Sequence, residues 1–283
     1  MIKKYILPLA LLVNSANALD LRYGQGNFEW NVGASGLGED SVTLDDKVMS
    51  ISEQHSNFEG SPWYIFGNID IHNSDTLNKI TDIADGIVGN LPFSPSDIGP
   101  FPSSFKVTGV DFDIGMGYDI TKDENGYLGI GLMTGISTPF MEMHNYLEAY
   151  NYMSTLLEET STDVKTYKFG LSLQGSYNIT NEFSIYGTGI YAMQTGTLAN
   201  DLISSELDVH GTYSSFDAGL KFYPSGIVDN ETNFYINIGY AYKHWEIDDM
   251  DVNIGDILSV NLSSVVNTDM TSDYLYVGIG MTF

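Results

Sequence analysis

The chain contains no cysteine, and its 11 lysines and arginines face 37 aspartates and glutamates. The first absence excludes disulfides and thiolate metal sites, and is compatible with passage through an oxidising compartment. The second leaves a formal net charge of −26 at pH 7. A chain of that sign repels nucleic acid and offers anionic lipid no basic patch, so no nucleic-acid partner is expected. Proline is sparse and uneven, with Pro92, Pro95, Pro100 and Pro102 making up half of the eight. Beyond the first residues, no apolar run approaches the ~20 residues of a membrane helix. A hydrophobic content of 43% nevertheless argues against disorder.

The N-terminus has a clear signature. Met1-Ile2-Lys3-Lys4 precedes the apolar run Tyr5 to Val13, and Ala16-Asn17-Ala18 fits the small-residue cleavage rule. Residues 1–18 therefore read as a secretory signal; the apolar core is too short for a membrane anchor. Its removal leaves 283 − 18 = 265 residues with a formal charge of 9 − 37 = −28, because Lys3 and Lys4 leave.

A two-residue alternation dominates the remainder. In Tyr274 to Phe283, YLYVGIGMTF, the residues Leu275, Val277, Ile279, Met281 and Phe283 share one face, opposite Tyr274, Tyr276, Gly278, Gly280 and Thr282. In FKVTGVDFDIGMGYDI (Phe105 to Ile120), Val110, Phe112, Ile114, Met116, Tyr118 and Ile120 oppose Asp111, Asp113 and Asp119 and three glycines. YLGIGLMTGISTPF, VKTYKFGLSLQGSYNI, HGTYSSFDAGLKFY and NFYINIGYAYKHW alternate in the same way, whereas the faces of FSIYGTGIYAMQTGT are too alike to assign. Upstream, Phe28, Trp30, Val32 and Ala34 form one apolar face, and Trp63, Ile65, Ile69 and Ile71 another. Nine strands are clear. A tenth is placed between Gly38 and Gly60, where SVTLDDKVMSIS alternates only poorly.

The expected fold is all-β: a transmembrane, antiparallel, up-and-down barrel of about ten strands, with eight or twelve as alternatives. It would occupy residues 19–283. Connections sort by length, with short turns after Ile120 and Ile179 and a moderate one at Pro224 to Glu231 on one side. Long acidic loops are expected on the other, at Met141 to Asp163, Ala199 to Asp208 and Asp248 to Ser272. One insertion, residues 72–104, breaks the rhythm. Leu77, Ile80, Ile83, Ala84 and Ile87 lie at helical spacing there, so a short amphipathic helix is expected in an outer loop. Met141 to Leu157 carries a weaker pattern of the same kind.

The terminal alternation ending on Phe283 resembles the C-terminal signal of bacterial outer-membrane β-barrels. With the leader and the sorted loops, the resemblance covers the whole exported chain. It implies the outer membrane as location, its lipids and lipopolysaccharide as surroundings, and the barrel-assembly machinery as the partner that reads Leu275, Val277, Ile279, Met281 and Phe283.

The inward charges are the candidate site. Asp111, Asp113, Lys168 and Lys243 should share the upper lumen, with Asp217 midway and Lys221 and Asp119 near the periplasmic end. Such a set either lines a polar pathway or forms a salt-bridged interior, since charges at low dielectric need partners. Asp111-Phe112-Asp113 and Asp208-Val209-His210 resemble the acidic and His-containing pairs of omptin proteases. The alternation, however, sends His210 outward with Phe216. Asp249, Asp251 and Asn253 mimic the start of a calcium loop, but Ile254 replaces the required Gly and Val260 the closing Glu. Loosely held calcium or magnesium is the most that this segment suggests, and no cofactor is expected. The leading expectation is a small porin-like or substrate-selective channel for small polar solutes. A closed structural or surface-binding barrel is the alternative, and an omptin-like protease comes third.

Overall fold

The structure is a computed structural model that describes residues 18–34, 38–58, 61–81, 101–145, 159–200, 206–227, 232–254, 258–261 and 266–282. They form thirteen strands: β1 (Ala18–Ala34), β2 (Gly38–Asn57), β3 (Trp63–Asn73), β4 (Leu77–Thr81), β5 (Phe101–Lys122), β6 (Gly126–Ser137), β7 (Phe140–Asn145), β8 (Glu159–Asn178), β9 (Phe183–Asn200), β10 (Leu207–Phe222), β11 (Asn233–Ile254), β12 (Leu258–Asn261) and β13 (Val266–Thr282). These make ten staves. β4 continues β3 along β5, β7 continues β6 between β5 and β8, and β12 folds back on the end of β11. Every neighbouring pair is antiparallel, and β1 paired with β13 from Ala18↔Thr282 to Ala34↔Val266 closes the ring. The result is a closed ten-stranded barrel, with no helix among the described residues. The tenth strand expected between Gly38 and Gly60 is β2.

Short connections at Asp123–Asn125 and Ile179–Glu182 lie at the end where Ala18 meets Thr282. The exterior of this lower half is apolar: Leu275 is 68% exposed, Phe169 63% and Met193 76%. Aspartates, lysines and serines are buried inside instead. That inversion suits a wall facing hydrocarbon. In β9 the structure resolves the two similar faces: Ile185, Tyr191 and Met193 point out, and Ser184, Tyr186, Ala192 and Gln194 point in.

The strands outrun the apolar belt. On β1 the outward series passes from Leu21 and Tyr23 to Gln25, Asn27 and Glu29, and on β13 from Leu275 to Asp273, Thr271 and Asp269. Above that level the polarity reverses. Phe28, Trp30, Val42, Leu44, Val107, Val164, Leu207, Val209, Ile247 and Met270 are buried in one inner cluster. Phe28 and Trp30, which share an apolar face in the sequence, therefore line the interior of a raised rim whose outer side is polar.

The rim corrects several loop assignments. Residues 141–145, 159–163, 248–254, 258–261 and 266–272, expected in acidic loops, are strand, as are 199–200 and 207–208. Leu77–Thr81, expected to open a helix, is β4, paired from Leu77↔Phe105 to Thr81↔Phe101, and Leu77 packs against the inner cluster. The free edge of β5 offered pairing that the helical spacing could not match. Ile83, Ala84, Ile87, Pro92, Pro95 and Pro100 lie outside the described residues, as do 146–158, residues 1–17 of the expected leader 1–18, and Phe283.

Candidate functional site: the barrel lumen

Inward parity on four strands, β3, β5, β8 and β11, places Asp70, Asp111, Asp113, Lys168 and Lys243 at one level of the lumen. Lys168 Nζ lies 2.5 Å from Asp111 Oδ1 and 2.6 Å from Asp113 Oδ1. Lys243 bridges Asp70 and Asp111. Neutral donors complete the layer. Tyr213 OH donates to Asp111 Oδ2 at 3.1 Å, Tyr274 OH to Asp70 Oδ2 at 3.1 Å, and Ser137 to Asp111. Lys168 also stands over the Tyr213 ring, 3.8 Å from its centre. All these charged side chains are buried, and each carboxylate has at least one lysine, which is the condition under which buried charge is tolerated.

An aromatic layer covers this one. Trp245 donates its Nε1–H to Ser137 Oγ at 2.8 Å and stacks on Phe28 at 6.1 Å between centres. His72 meets both rings edge-on, and its Nδ1 lies 2.6 Å from Asp46 Oδ2. The charge layer is thus roofed by apolar side chains that continue into the rim cluster.

Below lies a second charge layer. Arg22 reaches Asp217 at 2.6 Å and Asp20 at 2.9 Å, with Tyr276 (4.7 Å) and Tyr186 (5.6 Å) on its flanks. Asn237 donates to Asp20 at 3.0 Å, and Tyr276 donates to Asp217. Lys221 stands over the Tyr235 ring at 4.5 Å. Asp119 sits at the lower end, 3.9 Å from Lys122. Glycines on the wall make room for the inward rings: a Cβ on Gly117 or Gly129 would strike the Tyr64 ring. Between the two charge layers a cavity of about 60 Å³ remains.

The expected residues thus fall into three places. Asp111, Asp113, Lys168 and Lys243 meet as expected; Asp217 joins the lower layer with Lys221 close by, and Asp119 stands apart. Arg22, Asp20, Asp70 and the His72–Asp46 pair were missed. Their parity against Leu21, Tyr23, Ile69 and Ile71 was the available signal. The omptin-like pairs do not converge: Asp111 and Asp113 are buried inside, and His210 is exposed on the outer face. The calcium-loop reading fails on backbone grounds. Asp249 and Asp251 pair with His210 and Asp208, and Asn253 with Ser259, in extended ladders that cannot wrap an ion.

No protein-family model and no curated protein matches the sequence. Solved structures do. The outer membrane protease OmpT of Escherichia coli superposes with a TM-score of 0.57, at 10% identity, over 94% of this chain and 96% of that one. The fold is that of an outer-membrane β-barrel. The translocator domain of the autotransporter NalP from Neisseria meningitidis (TM-score 0.39, 11% identity, 99% and 95% covered) and the Pseudomonas putida toluene transporter TodX (0.31, 9%, 97% and 92%) are further matches. At these identities the likeness is one of architecture. With the apolar belt, that architecture gives the barrel its location in the outer membrane.

Proposed function

We propose that this outer-membrane barrel is closed, and that it works through the raised rim and outer loops it presents rather than by passing solutes. The observation that carries this reading is the two-tier obstruction of the lumen: the Lys168/Lys243 charge layer lying directly under the Trp245–Phe28 layer. A solute taking this route would have to part Lys243 from Asp70 and Asp111 and displace packed aromatic rings. The remaining cavity of about 60 Å³ has room for about four to six waters at ~10–15 Å³ each. The outward rim side chains include Glu29, Asp208, Glu246 and Asp269, so the surface suits a cationic or cation-bridged partner, lipopolysaccharide with divalent ions among them. Assembly through the barrel machinery, with Leu275 to Phe283 as the recognised end, belongs to the same reading.

The decisive measurement is single-channel recording of the refolded protein in planar bilayers. A closed barrel gives a flat baseline. Reproducible unitary steps would overturn the proposal in favour of a porin-like channel for small polar solutes.

A further inference from the structure

We infer that the cavity between the two charge layers is a binding site for one small monovalent cation, held as a fixed internal counter-ion. The inference goes beyond the closed-barrel reading and does not depend on it.

The charge count motivates it. Among the described residues, the two layers and the cavity wall between them hold six carboxylates: Asp20, Glu53, Asp70, Asp111, Asp113 and Asp217. They hold four cations: Arg22, Lys168, Lys221 and Lys243. Glu53 accepts a hydrogen bond from the Ala18 N–H at 3.0 Å; the other five carboxylates face four cations, a difference of 4 − 5 = −1, in a region where an uncompensated charge is strongly disfavoured. Four of the six carboxylates, Glu53, Asp70, Asp113 and Asp217, border the cavity, against Arg22 and Lys243. The excess negative charge is therefore concentrated at this opening.

A second, independent observation concerns hydrogen bonding. Gln174 is 2% exposed and lines the cavity, yet its Oε1 has no hydrogen-bond partner. Ser52 Oγ and Asp70 Oδ1 are likewise buried on that wall and unpartnered. Buried acceptors are normally satisfied. The Gln174 amide oxygen and the Asp70 carboxylate oxygen can only accept, and the Ser52 hydroxyl can turn its lone pairs to the same space; in a wall with excess carboxylate these are the ligands a bare cation takes.

The same wall selects the charge of the ion. Arg22 and Lys243 remain on it and oppose a divalent ion. Neutral amide and hydroxyl oxygens beside one or two carboxylates suit sodium or potassium.

The test uses the full refolded barrel in vesicles, with thermal unfolding read by the heat-modifiable shift on gels. Sodium or potassium chloride is exchanged for N-methyl-D-glucamine chloride at constant ionic strength. Binding to the folded state predicts a saturable rise in midpoint of a few degrees with the small cations. The rise should disappear in Gln174→Leu, which keeps the volume and removes the acceptor. If Gln174→Leu does not fold, Ser52→Ala should reduce the rise. Equal midpoints in all three salts would overturn the inference, as would a cation-dependent rise that both variants retain. A midpoint that follows pH but not cation identity would also overturn it, because protons would then supply the missing charge. Conductance tests the closed-barrel reading separately, so failure of one result leaves the other intact.

Discussion

Replacing Lys243 with methionine isolates the contribution of the upper charge layer. Lys243 touches both Asp70 and Asp111. After its loss Asp111 keeps Lys168, Ser137 and Tyr213, whereas Asp70 keeps the neutral donors Tyr274, Asn68 and Ser50. One buried carboxylate is left without a cation. Removing one partner of a buried pair costs ~3–5 kcal/mol, and 3 kcal/mol changes the folded-to-unfolded ratio by roughly 150-fold at 1.4 kcal/mol per decade. Asp70→Asn removes the orphaned charge, so the double variant Lys243→Met/Asp70→Asn should lose less than the two single losses combined. The expected coupling is about 1–3 kcal/mol. Reversible urea unfolding in lipid vesicles, followed by tryptophan emission, measures all four corners of the cycle. Trp30 and Trp245 report from the buried upper interior, and Trp63 from the exterior. A loss below ~1 kcal/mol for Lys243→Met is the figure for a solvated surface pair. That result would refute the packed lumen and favour a water-filled one.

Three further outcomes follow from the wall itself. Ile279→Lys puts a charge between Val277 and Met281 in the exposed apolar series and should cost ~2–4 kcal/mol in the same vesicle titration. Gly117→Ala directs a methyl into the Tyr64 ring and should cost ~1–3 kcal/mol as overpacking. Gly189→Ala meets nothing within 4 Å and should stay within ~0.5 kcal/mol of the parent.

The alternation of side chains made the lower barrel readable. Residues such as Asp111 against Phe112, or Lys168 against Phe169, can satisfy a strand only by facing opposite ways, so their level and direction followed from counting. Height was harder to read. Phe28 and Trp30 are as apolar as Leu275 and Val277, and nothing in a two-residue period says whether an apolar face meets lipid or another wall. The sign comes from the opposite face: beside Phe28 stand Asn27 and Glu29, which cannot face hydrocarbon, whereas beside Val277 stand Tyr276 and Gly278. The rim strands escaped notice for a related reason. Segments such as Asp248–Ile254 are acidic because they stand in water, and acidity was taken for loop. Gly115 shows the limit of parity as a guide to tolerance. It faces the lumen, where a small polar substitution would be expected to pass, but a Cβ there would collide with the Phe66 ring and the Leu132 carbonyl. Asp46 and His72 became a pair only through the β2–β3 register, which sets Val48 opposite His72 and brings the aspartate one inward position away.

Which layer closes the barrel can be separated by cutting them one at a time. Trp245→Ala removes a buried ring, its stacking on Phe28 and its hydrogen bond to Ser137, at a cost of ~3–5 kcal/mol. The charge layer beneath does not depend on that bond, because Asp111 retains Lys168, Lys243 and Tyr213. Conductance of Trp245→Ala should therefore remain at baseline even though the protein is less stable. Lys243→Met alone should also stay silent, since Trp245 and Phe28 still roof the gap. Adding Lys243→Ala to Trp245→Ala clears both tiers on one side of the lumen and connects the rim to the cavity of about 60 Å³. Only the lower layer of Arg22, Asp217 and the tyrosines then stands between that cavity and the periplasmic end. A triple variant that also carries Arg22→Ala should be the first to show unitary steps in a planar bilayer. Steps from Trp245→Ala by itself would mean that the aromatic layer is the whole seal, and that the charged tiers beneath it are already hydrated and permeable.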